Sequence, residues 1–356
     1  MDPVTPKDAP SAPESLIPAA RGVAVVVNGR AKSVTQEVIS NLDAILRGTD
    51  LFVSRSLEQA QEIAETVVRR GYGTVLTGGG DGTFTVMVTL IVRAAERENK
   101  PLPRFGFLKL GTGNALAHVV GASGQRTLAA DIRRLREEAG SRKIGLVEVE
   151  GLLAPFCGLG ADARVLLDYA EVKNAGKGLL KPLSTGALGY AVSSLSRTLP
   201  REVWGQVPEC RIINRGAPAW RVGAMGRAMG EPVQAGDVLY QGPARIVGLS
   251  TIPYYGFGFR MFPYAEERKD RMALRVANLT PLEFVRNARA IWKGDYVNPE
   301  TIWDFLVQDV EIEMDPATAF QIGGDTKGER SFVRVKLSER PIRLVDFYAP
   351  PGVGLD

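Results

Sequence analysis

The chain has 356 residues, 45% of them hydrophobic and 24% charged, an ordinary balance for globular protein and enough material for two cores. A net charge of +4 is mild, and no Lys/Arg block with interleaved aromatics occurs, which argues against a nucleic-acid partner. The one histidine, His118, excludes zinc sites built on two or more histidines and speaks against Ser-His or Cys-His catalysis.

No apolar run approaches the roughly 18 to 20 residues of a membrane span, and no signal-peptide core opens the chain, so a cytoplasmic location is expected. Cys157 and Cys210 lie far apart and are expected to be buried, reduced thiols.

Residues 1–20, rich in proline with small and polar residues, are expected to be a disordered leader. Val23 to Val27 is a β-branched strand ending at Asn28-Gly29-Arg30. Ser33 and Gln36 form a capping box for a helix with Val38, Leu42, Ile45 and Leu46 on one face, stopped by Gly48. Leu51 to Val53 reads as a short strand. Ser56 and Gln59 open a second helix with Ala60, Ile63, Ala64, Val67 and Val68 inward, closed by Gly71.

The stretch Thr74-Val75-Leu76-Thr77-Gly78-Gly79-Gly80-Asp81-Gly82-Thr83 reads as strand and tight loop, with a helical segment from Phe84 to Glu98 after it. Glycines permit φ > 0 and bring backbone N–H groups close to a ligand, and the following helix adds its positive dipole end. Such a place suits phosphate. A carboxylate there, Asp81, implies a divalent cation such as Mg²⁺, or a proton being handed over; a glycine turn with a solvated Asp is the plainer alternative.

A second loop follows the same plan. Phe105 to Leu110 is strand-like, and Gly111-Thr112-Gly113-Asn114 leads into helical Ala115 to Val120, with Asn114 as N-cap. His118 falls inside that helix, where a packed or surface role outweighs a catalytic one. Alternating strands and helices up to about Gly140 predict a parallel sheet with both loops at its carboxyl edge.

From Arg142 onward the texture turns to strand alternation. Met272, Leu274 and Val276 alternate with Arg271 and Arg275; Val310, Ile312 and Met314 with Glu311 and Glu313; Val333, Val335 and Leu337 with Arg334 and Lys336. Each pattern predicts one face in a core and one in water. Thr280-Pro281-Leu282-Glu283 opens a helix closed by Gly294. Gly186 to Leu199 is an amphipathic helix that suits its own domain's core or a membrane surface. Gly158-x-Gly160-x-x-Ala163 lacks the first βαβ context and acidic partner of a dinucleotide fingerprint.

Gly79-Gly80-Asp81-Gly82-Thr83 followed by Leu110-Gly111-Thr112-Gly113-Asn114 resembles the paired signature of the diacylglycerol kinase and sphingosine kinase superfamily in its bacterial soluble form. The resemblance extends from Val23 to about Leu337. It implies that Asn28, at the end of the first strand, contacts nucleotide, although Gly29 replaces the usual Pro, and that Ser54 helps hold phosphate. Gly158 to Ala163 is similar to the family's Gly-Phe-Asp-Ala segment. Gln321-Ile322-Gly323-Gly324-Asp325 resembles its Gln-x-Asp-Gly-Glu element, whose acid activates the acceptor hydroxyl. Here Gly323 replaces the Asp and Asp325 the Glu; Asp325 also fits a plain turn residue. Thr85-Val86 stands where the family commonly has Asn-Glu.

The resemblance implies two α/β-class domains after the leader. Residues 21–141 would be a parallel-sheet nucleotide-binding domain; residues 142–356 would be a mostly antiparallel β-sandwich for the acceptor, with the C-terminal segment returning toward the first domain. It implies an ATP- and Mg²⁺-dependent kinase acting on a lipid hydroxyl. Asp81 would be catalytic and hold metal and Asp325 would be the base. Asn28, Ser54, Gly78, Gly79, Gly80, Gly82, Thr83, Gly111, Thr112, Gly113 and Asn114 would hold nucleotide. Expected partners are the lipid substrate and the membrane's inner face in peripheral contact, with a homodimer through an open strand edge and no nucleic acid. Two alternatives stay open: an NAD kinase, which shares the first loop, and a regulatory protein that binds lipid or nucleotide with impaired catalysis.

Overall fold

The structure, a computed structural model, describes residues 22–46, 50–122, 131, 139–161, 163–164, 206–349 and 354–355. The expected leader, Gly48, Asp162 and the Gly186 to Leu199 helix lie outside the described residues.

The first part alternates as predicted: β1 (Val23–Asn28), α1 (Gln36–Leu46), β2 (Leu51–Ser54), α2 (Leu57–Arg70), β3 (Thr74–Gly79), α3 (Asp81–Arg97), β4 (Arg104–Lys109) and α4 (Ala115–Val120). Ala24 to Val27, Val75 and Leu76 are fully buried, as strands covered by helices on both faces require. The cap of α1 is Thr35 rather than Ser33: the Val38 N–H donates to Thr35 Oγ1 at 3.3 Å. Ser56 Oγ accepts the Gln59 N–H at 3.2 Å, and Gly71 closes α2 at φ 69°. Phe84, one turn into α3, packs edge-on against Phe105 and Phe107 of β4, both at 6.4 Å between ring centres. This clamp fixes α3 over the neighbouring strand. Burial of one such ring stabilises by ~2 kcal/mol.

The rest comprises β5 (Ser141–Ile144), β6 (Val147–Val149), β7 (Leu152–Ala154), β8 (Phe156–Gly160), β9 (Glu209–Asn214), β10 (Ala219–Val222), β11 (Ala228–Val233), β12 (Val238–Pro243), β13 (Ile246–Ser250), β14 (Met272–Ala277), α5 (Pro281–Lys293), β15 (Ile302–Val307), β16 (Asp309–Ile322), β17 (Asp325–Leu337), β18 (Ile342–Val345) and β19 (Gly354–Leu355).

Among the described residues these strands make two sheets. The first is ordered β19-β5-β18-β4-β3-β1-β2 and is parallel throughout except where β18 meets β5. The chain thus leaves this sheet after Ile144 and returns at Ile342. The second sheet is antiparallel and continuous, expected as a sandwich and joined here through β16. Val310 to Asp315 pair with β9, Phe320 to Ile322 with β8, and β17 lies along the other edge. A break in register between Glu313 and Thr318 lets this long strand serve both halves around one core.

β14 departs from the half-solvated pattern, since all six of its residues are buried. Arg275 is held by two bonds to the Asp304 carboxylate at 2.7 and 2.8 Å, which supplies the charge pairing that alternation alone assigned to water. Cys157 and Cys210 are buried thiols outside any disulfide, and burial, aided by Glu209, pushes Cys210 up to about 12. Among the described residues no helix is long and apolar enough to cross a membrane.

Candidate active site

β3 and β4 are neighbours in parallel register, with Gly78 opposite Leu108 and Gly79 opposite Lys109, so both glycine loops leave the same edge of the sheet. β1 and β2 continue that edge, pairing Val27 with Gly78 and Asn28 with Ser54. Asn28 reaches across to the first loop, where its Nδ2 donates to Thr83 Oγ1 at 3.1 Å. Ser54 is buried one strand farther out, and its carbonyl receives the Gly29 N–H at 2.8 Å.

The loops are shorter than their sequences suggest. β3 runs on to Gly79, Gly80 is the N-cap, and α3 begins at Asp81 rather than Phe84. None of Gly78, Gly79, Gly80, Gly82, Gly111 and Gly113 takes a positive φ. At Gly78, Gly79 and Gly111 close approach makes glycine necessary instead. A Cβ on Gly111 would strike the Gly80 backbone, one on Gly79 the Thr83 side chain, and one on Gly78 would sit 2.7 Å from Val27 Cγ1. The two loops therefore touch backbone to backbone.

Within the two glycine loops the left-handed residue is Asn114, at φ 52° and ψ 50°. It holds the N-cap position of α4 as expected, but its side chain makes no capping bond there because its amide closes its own loop, accepting from the Gly111 N–H at 2.9 Å and donating to the Gly111 carbonyl at 2.7 Å. Asp81 caps α4 from across the crevice: Oδ2 accepts the Ala115 N–H at 3.0 Å and Oδ1 the Leu116 N–H at 3.2 Å. One carboxylate thus stands at the start of its own helix and of the next. It is 7% exposed, and burial drives its pKa up to about 6 against the opposing pull of those two N–H groups, with the Asp325 charge adding to the rise.

Asp325 arrives from the second sheet. Gly323 and Gly324 both take positive φ, 57° and 82°, and form the two-residue turn between β16 and β17. Gln321 Oε1 accepts the Gly324 N–H at 2.8 Å, and the Gly323 N–H donates to the Phe156 carbonyl at 2.9 Å. The turn sets the Asp325 carboxylate directly over Gly82, where any Cβ would collide with it. Asp325 keeps a solvent-exposed side while neighbouring atoms crowd the carboxyl, and the partial dehydration raises its pKa.

Two departures from the family pattern meet here. A Cβ on Gly323 would collide with Thr85 Oγ1, and that hydroxyl is buried without a hydrogen-bond partner, as is Gln321 Nε2. The threonine at 85 occupies the space that glycine at 323 leaves open.

Sequence reading missed the segment that closes the second loop. The Phe257 N–H donates to the Gly113 carbonyl at 2.9 Å, Gly256 and Gly258 take φ of 137° and 79°, and Tyr254 packs on His118 at 5.5 Å. The interleaving of aromatics and glycines in Tyr254-Tyr255-Gly256-Phe257-Gly258-Phe259 is the signal that could have found it. His118 is thus a packing residue beside the site.

No cluster of three or more acidic, His or Cys side chains occurs among the described residues, so the protein alone offers no metal cage. Two carboxylates at one crevice, with Asp81 buried at helix N-termini and its pKa raised, fit a cation shared with phosphate oxygens and water, as Mg²⁺ prefers. Gly78, Gly79 and Gly111 spend backbone groups on the sheet or on Asn114. The N–H groups of Gly82 and Thr83, in the first turn of α3, have no intrahelical acceptor and are the better phosphate donors.

Residues 22–149 match the diacylglycerol kinase catalytic domain family. None of the curated proteins matches the chain in sequence. Among solved structures, a candidate diacylglycerol kinase from Bacillus anthracis str. Sterne is 15% identical, with 94% of this chain and 99% of that one covered at a TM-score of 0.63. A second candidate diacylglycerol kinase from the same organism is 15% identical over 92% and 97% at 0.59, and a diacylglycerol kinase structure from it 12% identical over 94% and 98% at 0.57. At such identities the likeness establishes the two-part fold alone. Residues 22–149 thus match the diacylglycerol kinase catalytic domain, and the whole chain shares the fold of the diacylglycerol kinase structures.

Proposed function

We propose that the chain is an ATP- and Mg²⁺-dependent kinase that transfers a phosphoryl group to a lipid hydroxyl. The observation that carries this reading is the meeting of Asp325, delivered by the second sheet, with Gly82 and Asp81 at the paired loops of the first. Bound Mg²⁺ would neutralise charge developing on the phosphate oxygens. Gly82 and Thr83 would donate backbone N–H bonds to phosphate, and Asn28 would orient Thr83. Asp81 would hold the two loops in register through the α4 N–H groups while facing the cation. Asp325 would accept the acceptor's proton, a role that needs no histidine when the hydroxyl lies within about 3 Å. The aromatic strip Tyr254 to Phe259 would supply apolar contact for the acceptor.

A second reading, nucleotide and lipid binding with impaired catalysis, is favoured by one observation: Gly323 and Thr85 together leave out side chains that the family places beside the two acids. One assay separates the readings. Purified chain is given radiolabelled ATP, Mg²⁺, a total lipid extract and NAD, and the products are fractionated. Label in a lipid fraction, reduced at least ~10²-fold by Asp325→Asn, is the expected result. Label in NAD alone would replace the lipid acceptor, and an ATP-induced thermal shift without any transfer would leave binding as the function.

A further inference from the structure

Helix α5 turns its apolar side outward. Of its 13 residues only Ile291 is buried. Leu282 is 67% exposed, Val285 63% and Trp292 48%. At about 100° per residue, these three share an arc of about 120° with Arg286, Arg289 and Lys293. The helix's one acid, Glu283, faces away from that arc, where its Oε1 accepts bonds from Tyr296, Asn298 and Thr301 at 2.8, 2.9 and 2.8 Å. Among the described residues, none forms an ion pair with the three cations of the arc.

The helix is firmly anchored. Thr280 caps it, Pro281 starts it and Gly294 ends it at φ 76°. Its last turn is bolted to the segment over the second glycine loop. The Trp292 ring stacks on Phe259 at 5.3 Å, and the Trp292 carbonyl accepts the Arg260 N–H at 3.0 Å. Phe257 of the same segment is 37% exposed and is bonded to Gly113. A surface that held the outer face of α5 would therefore lie one short loop from the crevice.

We propose that α5 is an interfacial helix that docks the chain on an anionic lipid bilayer, with Leu282, Val285 and Trp292 entering the headgroup region and Arg286, Arg289 and Lys293 meeting lipid phosphates. The charge pattern selects this occupant. A rigid helix mixing Trp, Leu and Val with three cations and no acid on one face complements a negatively charged, partly apolar interface. A protein partner or the chain's own core would leave three cations to be paired or buried. The inference deepens the lipid-kinase reading, on which its biological sense rests, but vesicle binding needs no phosphoryl transfer. A failure of one is therefore distinguishable from a failure of the other.

The test is co-sedimentation of the full chain with phosphatidylglycerol-containing vesicles and with pure phosphatidylcholine vesicles. Binding only to the anionic vesicles is expected, weakened about 100-fold by the triple change Arg286→Ala, Arg289→Ala, Lys293→Ala. Leu282→Asp with Val285→Asp should also abolish it, with the circular dichroism spectrum unchanged because both positions are exposed. Brominated lipids should quench Trp fluorescence in the wild type and less so in Trp292→Phe. Equal binding to both vesicle types, or wild-type affinity in the triple variant, would overturn the proposal. So would a dimer in light scattering that Val285→Asp converts to monomer, since the face would then belong to a second copy.

Discussion

Asp81 carries a conflict that its surroundings do not remove. Two helix N-termini favour its charge, yet burial outweighs them and leaves the carboxyl at about 6. Such a group is protonated more readily in the folded than in the unfolded chain. Its favourable contribution is therefore complete below about pH 4 and is lost as pH rises through about 6, a difference of ~3 kcal/mol. Urea midpoints of the wild type should fall relative to Asp81→Asn across that interval, and parallel profiles would show that Asp81 is not the group responsible. At Asp325, Asp325→Glu restores the family's longer carboxylate and should retain turnover, whereas Asp325→Asn should not. A rate assay against the same lipid pool checks both. Gly323→Ala should cost ~1–3 kcal/mol, because φ is 57° and the new methyl meets Thr85. With Thr85→Ala in the background the loss should shrink, and a double-mutant cycle by urea denaturation measures the coupling. Asp81 was legible from the glycines around it. That its carboxylate reaches α4 was not, since nothing local links residue 81 to residues 115 and 116.

Helix ends show the same division between local and distant causes. Ser56, Gly71, Thr280 and Gly294 act as their positions predict, since a cap needs only neighbours in sequence. At α1 the sequence pointed to Ser33, whereas Thr35, two residues farther on, holds the bond. Thr35→Ala should therefore cost ~1 kcal/mol and Ser33→Ala close to none, as chemical denaturation of each variant will show. The glycine loops were placed correctly but explained only in part. Their glycines answer to a second loop, a threonine and an acid brought in by tertiary structure rather than to left-handed turns. In β14, alternation signalled a wet face that Asp304 of the adjacent strand in fact covers.

Two sheets and the crevice between them follow from a sequence that alternates helix and strand up to about Gly140 and then turns to strands. The position of β18 could not be read that way. Four residues near the C-terminus, Ile342–Val345, enter the first sheet between β4 and β5, with Leu344 opposite Phe105 and four pairs to β5. Without them β4 presents an open edge, and β5 has no partner on that side. Residues 22–149 expressed alone should thus precipitate or lack a dispersed NMR spectrum, although they span the whole matched domain. A well-folded fragment would show that β18 is an ornament on that sheet.

The same strand sets a timetable for biosynthesis. The ribosome releases β4 some 230 residues before the segment that will lie against it, about 20 seconds at ordinary elongation rates. Throughout that delay the nascent chain exposes an unsheltered apolar ribbon. Holding it apart from other nascent chains is work for a chaperone.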